Sequence, residues 1–290
     1  MRGMTFVGVP IDSVGRSGGT EHGPSVLREL GLAEVLGGDR GDLEVRVRGE
    51  ERDSATGIVG LDDVLATTAV LRREVAAAIS AGERPFLVGG CCAEVPGALA
   101  GARDALGTVG LAYIDGHLDL YDGVTSPTGE AADMPVAVAL GFGPGRWVRE
   151  AGGASVSPAD TAILGFRDQD ESRGYGMRQP DELPGLTHVD VGAVRAEGAA
   201  AVGARVAASL SRGPFWLHLD VDVLDQDVFP ATDYLMPGGM TWSELLSMMT
   251  PLASSPSLAG ASIGCYNPEK DPDRACGRAL VEGIGSALAG

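Results

Sequence analysis

Lysine is nearly missing from this chain: of 22 basic residues, Lys270 alone is a lysine, and 40 acidic residues bring the formal net charge to −18. Such a surface repels phosphate backbones and anionic bilayers, which excludes nucleic acid and membrane as expected partners. Cysteine is scarce as well. Cys91, Cys92, Cys265 and Cys276 are too few and too irregularly spaced for a disulfide scaffold or a CxxC…CxxC zinc site, and a bridge between neighbours 91 and 92 would strain the peptide, so free thiols are expected. No 18-residue apolar run occurs, and the opening MRGMTFVGVP has no apolar h-region. Neither export nor a membrane span is indicated, and a cytoplasmic protein is expected. No internal repeat or break in composition divides the chain, which predicts one domain over residues 1–290.

What is present alternates in period. Short β-rich runs fall at 4–9, 43–48, 85–89, 109–114, 161–165, 186–190, 215–219 and 260–265. Between them, Val64, Thr68, Leu71, Val75 and Ile79 share one face at helical spacing, and 94–105, 196–210, 241–250 and 272–288 also read as helices. Strands alternating with helices predict right-handed crossovers and a three-layer α/β/α fold around a mostly parallel sheet of about eight strands. In such a sheet ligands bind at the carboxyl ends of the strands.

Two acidic clusters follow apolar strands directly. YIDGHLDLYDG holds Asp115, His117, Asp119 and Asp122, and HLDVDVLDQD holds Asp220, Asp222, Asp225 and Asp227. In extended chain, residues two apart share a face, so Asp115, His117 and Asp119 can converge, as can Asp220 and Asp222. One D-x-D at a strand end reads as a turn or cap. Two clusters, one of them with an imidazole, read as a cation site, because converging carboxylates repel one another without positive charge. Oxygen donors with one imidazole suit Mn²⁺, and bridging aspartates suit a pair of ions that activates water.

At these motifs the chain resembles the ureohydrolase family of arginases, agmatinases and formiminoglutamases. The family's G-G-[acid]-H, D-A-H-x-D, S-x-D-x-D-x-x-D-P and E-x-N-P patterns are met in order by Gly89-Gly90-Cys91-Cys92, Asp115-Gly116-His117-Leu118-Asp119, the stretch from His218 to Asp225, and Cys265-Tyr266-Asn267-Pro268. The opening VGVPIDSVGRSGGTEHGP resembles the family's first strand, glycine-rich loop and helix start. The resemblance implies an arginase-like fold and hydrolysis of a C–N bond in a guanidino or amidino compound by metal-activated hydroxide. It also implies a trimeric or hexameric homo-oligomer.

Carried over position by position, the resemblance makes Asp115 and Asp220 bridging ligands, Asp119 a ligand of one ion, and His117 and Asp222 ligands of the other. Cys92 stands where the family has a histidine ligand, and a thiolate there moves preference from Mn²⁺ toward Zn²⁺ or Fe²⁺. Three readings of Cys92 stay open: a thiolate ligand, a centre with one tight and one weak ion, or a lapsed metal function. SPTGEAADMP aligns with the family's substrate loop, where Ala132 replaces a proton-transfer histidine, Glu130 replaces an asparagine, and Thr128 keeps a hydroxyl. Asp119, Glu130 and Thr128 are therefore the catalytic candidates, with Glu130 alternatively a first-turn helix glutamate. Cys265 replaces the glutamate that pairs with a guanidinium in arginases, so plain arginine is not the expected substrate. Glu269 and Asp233 are the candidates to stand in for it, and His22 is a candidate for the pocket mouth. His188 and His218 read as core residues, and Asp225 as a turn residue. The second hypothesis is a degenerate, non-catalytic relative that keeps the fold for binding or assembly.

Overall fold

A computed structural model of the chain describes residues 3–15 and 18–289; Arg16 and Ser17 of the glycine-rich loop lie outside them. Eight strands run β1 (Thr5–Val9), β2 (Asp39–Asp42), β3 (Pro85–Gly89), β4 (Gly110–Ile114), β5 (Thr161–Leu164), β6 (Thr187–Val189), β7 (Phe215–Asp220) and β8 (Leu258–Gly264). They form one sheet in the order β2-β1-β3-β8-β7-β4-β5-β6, with every neighbouring pair parallel.

Alternation along the strands splits the core in two. Phe86, Val88, Ala112, Ile114, Leu217 and Leu219 pack on one face, against the helices Ala199–Leu210, Trp242–Ala253 and Ala275–Ala289. Leu87, Leu111, Tyr113 and Trp216 pack on the other, against the helices Leu61–Ser80 and Val95–Leu106. This is the expected three-layer arrangement, and covering both faces is what lets a parallel sheet consist of nearly continuous apolar runs. No helix among the described residues is long and apolar enough to cross a membrane.

Two expected elements differ. The alternating 43–48 segment is not a strand. The edge strand β2 is made earlier, by Asp39–Asp42, whose Asp39 and Asp42 are both held by Arg28, at 2.8 and 2.6 Å. The apolar residues of 43–48 pack beyond the end of β1, with Val47 buried and the N–H of Leu43 donating to the Gly8 carbonyl. The 196–210 helix is broken at Gly198, whose φ of 94° lies in the left-handed region, into Val191–Glu197 and Ala199–Leu210. That φ favours glycine, and the chain turns there rather than continuing the helix.

Beneath the β3 turn lies an unexpected acid. Glu94 is fully buried, its carboxylate oxygens find no hydrogen-bond partner, and burial holds its pKa well above the usual value. A group whose folded pKa is raised contributes its full stability below the unfolded value, and that contribution is lost as pH rises. Glu94→Met should therefore stabilise the fold by about 1–3 kcal/mol, the cost of an unsatisfied buried polar group, and by more at pH 8 than at pH 5. Urea denaturation at the two pH values measures this; equal midpoints for both proteins at pH 8 would contradict it.

Candidate metal centre

The four central strands, β3, β8, β7 and β4, stand side by side, and each delivers donor groups at its carboxyl end. After β3 the chain passes through Gly89 and Gly90 to Cys91 and Cys92; a Cβ on Gly90 would lie 1.6 Å from the Ile11 carbonyl oxygen, so only glycine lets the turn pass. After β8 comes Cys265, held in the left-handed region at φ 68°, with its N–H donating to the Gly90 carbonyl at 3.1 Å. β7 ends in Asp220 and leads into Asp222, and β4 leads into Asp115, His117 and Asp119.

Donors from the two clusters meet, but Asp119, expected to ligate one ion, belongs to none of the metal-sized donor sets among the described residues. His117 Nδ1 lies 3.0 Å from Asp222 Oδ2 and 3.5 Å from Asp115 Oδ1. Asp220 Oδ1 accepts from the Asp222 N–H at 2.8 Å, Asp115 Oδ1 from the His117 N–H at 2.7 Å, and Asp222 Oδ1 from the Gly116 N–H at 3.1 Å. Cys92 Sγ stands 2.8 Å from Asp220 Oδ2, 3.8 Å from Asp115 Oδ2 and 3.7 Å from Cys265 Sγ. Arg167 steadies the second cluster from behind, donating to the Asp222 carbonyl at 2.7 Å.

Buried charge dominates the electrostatics. Burial first, and neighbouring carboxylates second, hold Asp115, Asp119 and Asp220 above the usual carboxylate range. Burial works against a charged His117, yet Asp222 and Asp115 outweigh it and hold the imidazole well above its ordinary pKa. Burial also raises the Cys92 thiol, followed by Cys265 and Asp220. Such a cluster calls for positive charge, and its donors form metal-sized sets. Asp115, His117 and Asp222 converge in one, Cys92, Asp220 and Cys265 in another, and Cys92, Asp115 and His218 in a third, with the donor atoms of each within 4.8 Å of one another. These sets fit a pair of divalent ions, one half rich in oxygen and nitrogen and the other rich in sulfur.

Above the donors opens a cavity of about 480 Å³. Asp119 lines it, its carboxylate accepting from the Tyr113 hydroxyl. Glu130 lines it too, just before the short turn Ala131–Asp133, and accepts from Tyr234 Oη at 2.8 Å. Burial pushes its pKa up to about 7. Thr128 donates to Asp133 at 2.6 Å, and Ala132 and Cys265 complete the positions singled out in the sequence. Asp233 reaches the wall, tied to Lys270 at 2.7 Å. Glu269 and His22 do not line this cavity and lie 3.9 Å from each other outside it. His188 is half-buried and faces Asp181 at 3.3 Å, and Asp225 fixes its turn by accepting from the Gly238 and Asp227 N–H groups.

Sequence reasoning missed several residues. His218 is fully buried, as expected of a core residue, but its Nε2 lies 3.2 Å from Cys92 Sγ. Period two offered a signal, because His218 shares a strand face with Asp220. Asp12, Asp133, Asp168 and Glu171 add carboxylates to the wall; their convergence is non-local and left no local pattern to read.

A parallel α/β sheet with a carboxylate-rich donor cluster at the ends of its central strands defines a metal-centre fold. Its sequence identifies which one. The sequence model of the Arginase family matches residues 2–289, and the chain belongs to that family. It is 29% identical to an arginase of Brevibacillus brevis over 97% of this chain and 95% of that protein. With an arginase of Bacillus subtilis the identity is 28%, over 98% and 97%. The native structure of the Bacillus caldovelox arginase superposes with a TM-score of 0.88 at 25% identity, covering 100% of this chain and 99% of that one.

Proposed function

We propose that this chain is a metal-dependent hydrolase that cleaves a C–N bond of a small guanidino or amidino compound other than plain arginine. The observation that carries the reading is the convergence of Cys92, His117, Asp119, Asp220 and Asp222 on one cavity at the ends of β3, β4 and β7, with Asp115 behind them in two of the donor sets. Family membership supports it. The ligand set suits two divalent ions, Mn²⁺ at the oxygen-rich half, with Zn²⁺ or Fe²⁺ favoured wherever Cys92 ligates. When bound, such ions supply Lewis acidity and make water acidic enough to react near neutral pH.

The chain's own groups do the rest. A cavity of about 480 Å³ suits a small molecule. Among the described residues its wall carries carboxylates and no lysine or arginine, which attracts a cationic amidine. Glu130, held by Tyr234, is placed to take up and return a proton, the task left open by Ala132. Asp119 and Thr128 fix polar atoms around the reacting centre, Asp119 through Tyr113 and Thr128 through Asp133. At position 265 a thiol cannot form the two parallel hydrogen bonds by which a carboxylate holds a guanidinium. This is the reason for setting arginine aside. The same reading takes residues 1–290 as one domain working as a trimer or hexamer, which light scattering measures.

The test is elemental analysis of protein purified with Mn²⁺ supplied, followed by a screen of linear amidines for released urea, ammonia or formamide. About two ions per chain and turnover of an amidine faster than arginine are expected. Ordinary arginine turnover would overturn the substrate claim, and a metal-free, inactive protein would favour a binding or assembly role.

A further inference from the structure

We propose that the β3–β8 half of the centre is a thiophilic metal site in which Cys265 joins Cys92 as a second sulfur ligand, with Asp220 as the oxygen ligand and His218 supporting Cys92 from behind. This goes beyond the hydrolase reading, which needs neither Cys265 nor His218 as part of a metal site.

Geometry carries it. Two thiolates bound to one tetrahedral zinc, each about 2.3 Å away, stand about 3.8 Å apart; Cys92 Sγ and Cys265 Sγ are 3.7 Å apart, with a carboxylate oxygen of Asp220 2.8 Å from Cys92 Sγ. The two cysteines come from neighbouring strands whose ends are locked by the Cys265 N–H donating to the Gly90 carbonyl, so the pair is built before any ion arrives. Cys92, Asp220 and Cys265 all line the cavity, so an ion they held would be open to a small molecule there.

Behind Cys92 a row of hydrogen-bonding groups runs through His218 and Ser262 to Trp216. Trp216 Nε1 can only donate, and it donates to Ser262 Oγ at 2.9 Å. We assign the Ser262 hydroxyl proton to His218 Nδ1, 2.8 Å away. That leaves the proton of the neutral ring on Nε2, pointed at Cys92 Sγ at 3.2 Å. A donor aimed at a sulfur supports the thiolate that a metal needs, as supporting hydrogen bonds do around bound ligands generally. Strand register sets the row, with His218 opposite Tyr113 on one side and Ser262 on the other, and the Tyr113 ring stacks on the imidazole at 4.8 Å.

The experiment titrates reduced, chelator-treated full-length protein with Cd²⁺ and reads sulfur-to-metal charge-transfer absorption. One equivalent per chain should saturate a band that falls to about half in Cys92→Ser and in Cys265→Ser and disappears in the double variant, because the band counts bound thiolates. His218→Asn should keep the band and weaken Zn²⁺ binding about 10–100-fold. Circular dichroism of each apo variant separates loss of ligand from loss of fold. For a variant that does not fold, the wild-type chain carries the test: bound Zn²⁺ must protect Cys92 and Cys265 alike from alkylation and leave the rate at Cys276 unchanged. Cadmium bound without charge transfer, a band indifferent to Cys265→Ser, or protection of Cys92 alone would overturn the two-sulfur site. Unchanged zinc affinity in His218→Asn would overturn the supporting role of the imidazole. An intact band in a protein that turns over no amidine would remove the hydrolase reading and leave this site standing.

Discussion

Asp115→Ala is expected to cost the centre both of its ions, while Asp222→Ala costs mainly one. Asp115 belongs to the oxygen-rich donor set with His117 and Asp222, and while its Oδ1 faces His117 its Oδ2 lies 3.8 Å from Cys92 Sγ in the sulfur half, whereas Asp222 belongs to the first set alone. Removing a shared ligand opens both coordination shells and leaves His117 and Cys92 facing fewer negative charges. The affinity lost should exceed the roughly 10–100-fold that loss of a supporting contact brings. Because the donors bind deprotonated, and burial holds Asp115, Asp220 and the Cys92 thiol above their ordinary pKa values, uptake must release protons and weaken as pH falls. Elemental analysis after dialysis, with calorimetric titration in two buffers of different ionisation enthalpy, measures both effects. Equal losses in the two variants would show that Asp115 is not shared.

The acidic motifs were readable because their spacing is local. Asp115, His117 and Asp119 sit two apart just after one strand, and Asp220 and Asp222 two apart at the end of another, which made them legible as clusters, although the chain has left the strand at Asp119, whose φ is 50°, and Asp119 joins none of the donor sets. That the two clusters meet depends on β4 and β7 being neighbours, a fact of topology that the strand pattern leaves open and that the family resemblance supplied. The strands of the sheet interior were readable for a related reason: PFLVG and FWLHL are apolar on both faces, as a strand covered by helices on both sides must be. The edge was not. Asp39–Asp42 carries no apolar residue and reads as a turn, and it pairs with β1 because Arg28 gathers two of its carboxylates.

The sulfur pair was illegible for the opposite reason. Cys92 and Cys265 lie 173 positions apart and meet through the β3–β8 pairing. Cys265 reads as a lost guanidinium partner when its motif is considered alone, and His218 reads as core because apolar residues flank it. Only the register that sets His218 between Tyr113 and Ser262 shows which partners its ring nitrogens face. Cys92 lies against both Cys265 and His218, at 3.7 and 3.2 Å from its sulfur.

Glu130→Gln is the substitution expected to cost the most turnover without loss of metal. Glutamine keeps an oxygen to accept from Tyr234 Oη, so the loop and KM should change little, while the proton-carrying function disappears. Loss of a positioned acid–base group typically costs about 10²–10⁴-fold, and a fall in kcat within that range is expected. The pH profile gives the sharper sign. Burial raises the carboxyl to about 7 against the partial lowering by Tyr234, so a group that must accept a proton becomes competent as pH rises through neutrality. The wild-type rate should climb across that limb, and the limb should flatten in Glu130→Gln. Stability provides a second reading of the same group. Its folded pKa lies above its ordinary 4.5, so its contribution is fully present below that value and is lost as pH rises toward 7. The variant, which cannot ionise there, should gain on the wild type in urea midpoint between pH 5 and 7. A wild-type limb that survives the substitution, or midpoints that stay parallel across that range, would mean that Glu130 remains ionised throughout and that proton transfer belongs to another group in the wall.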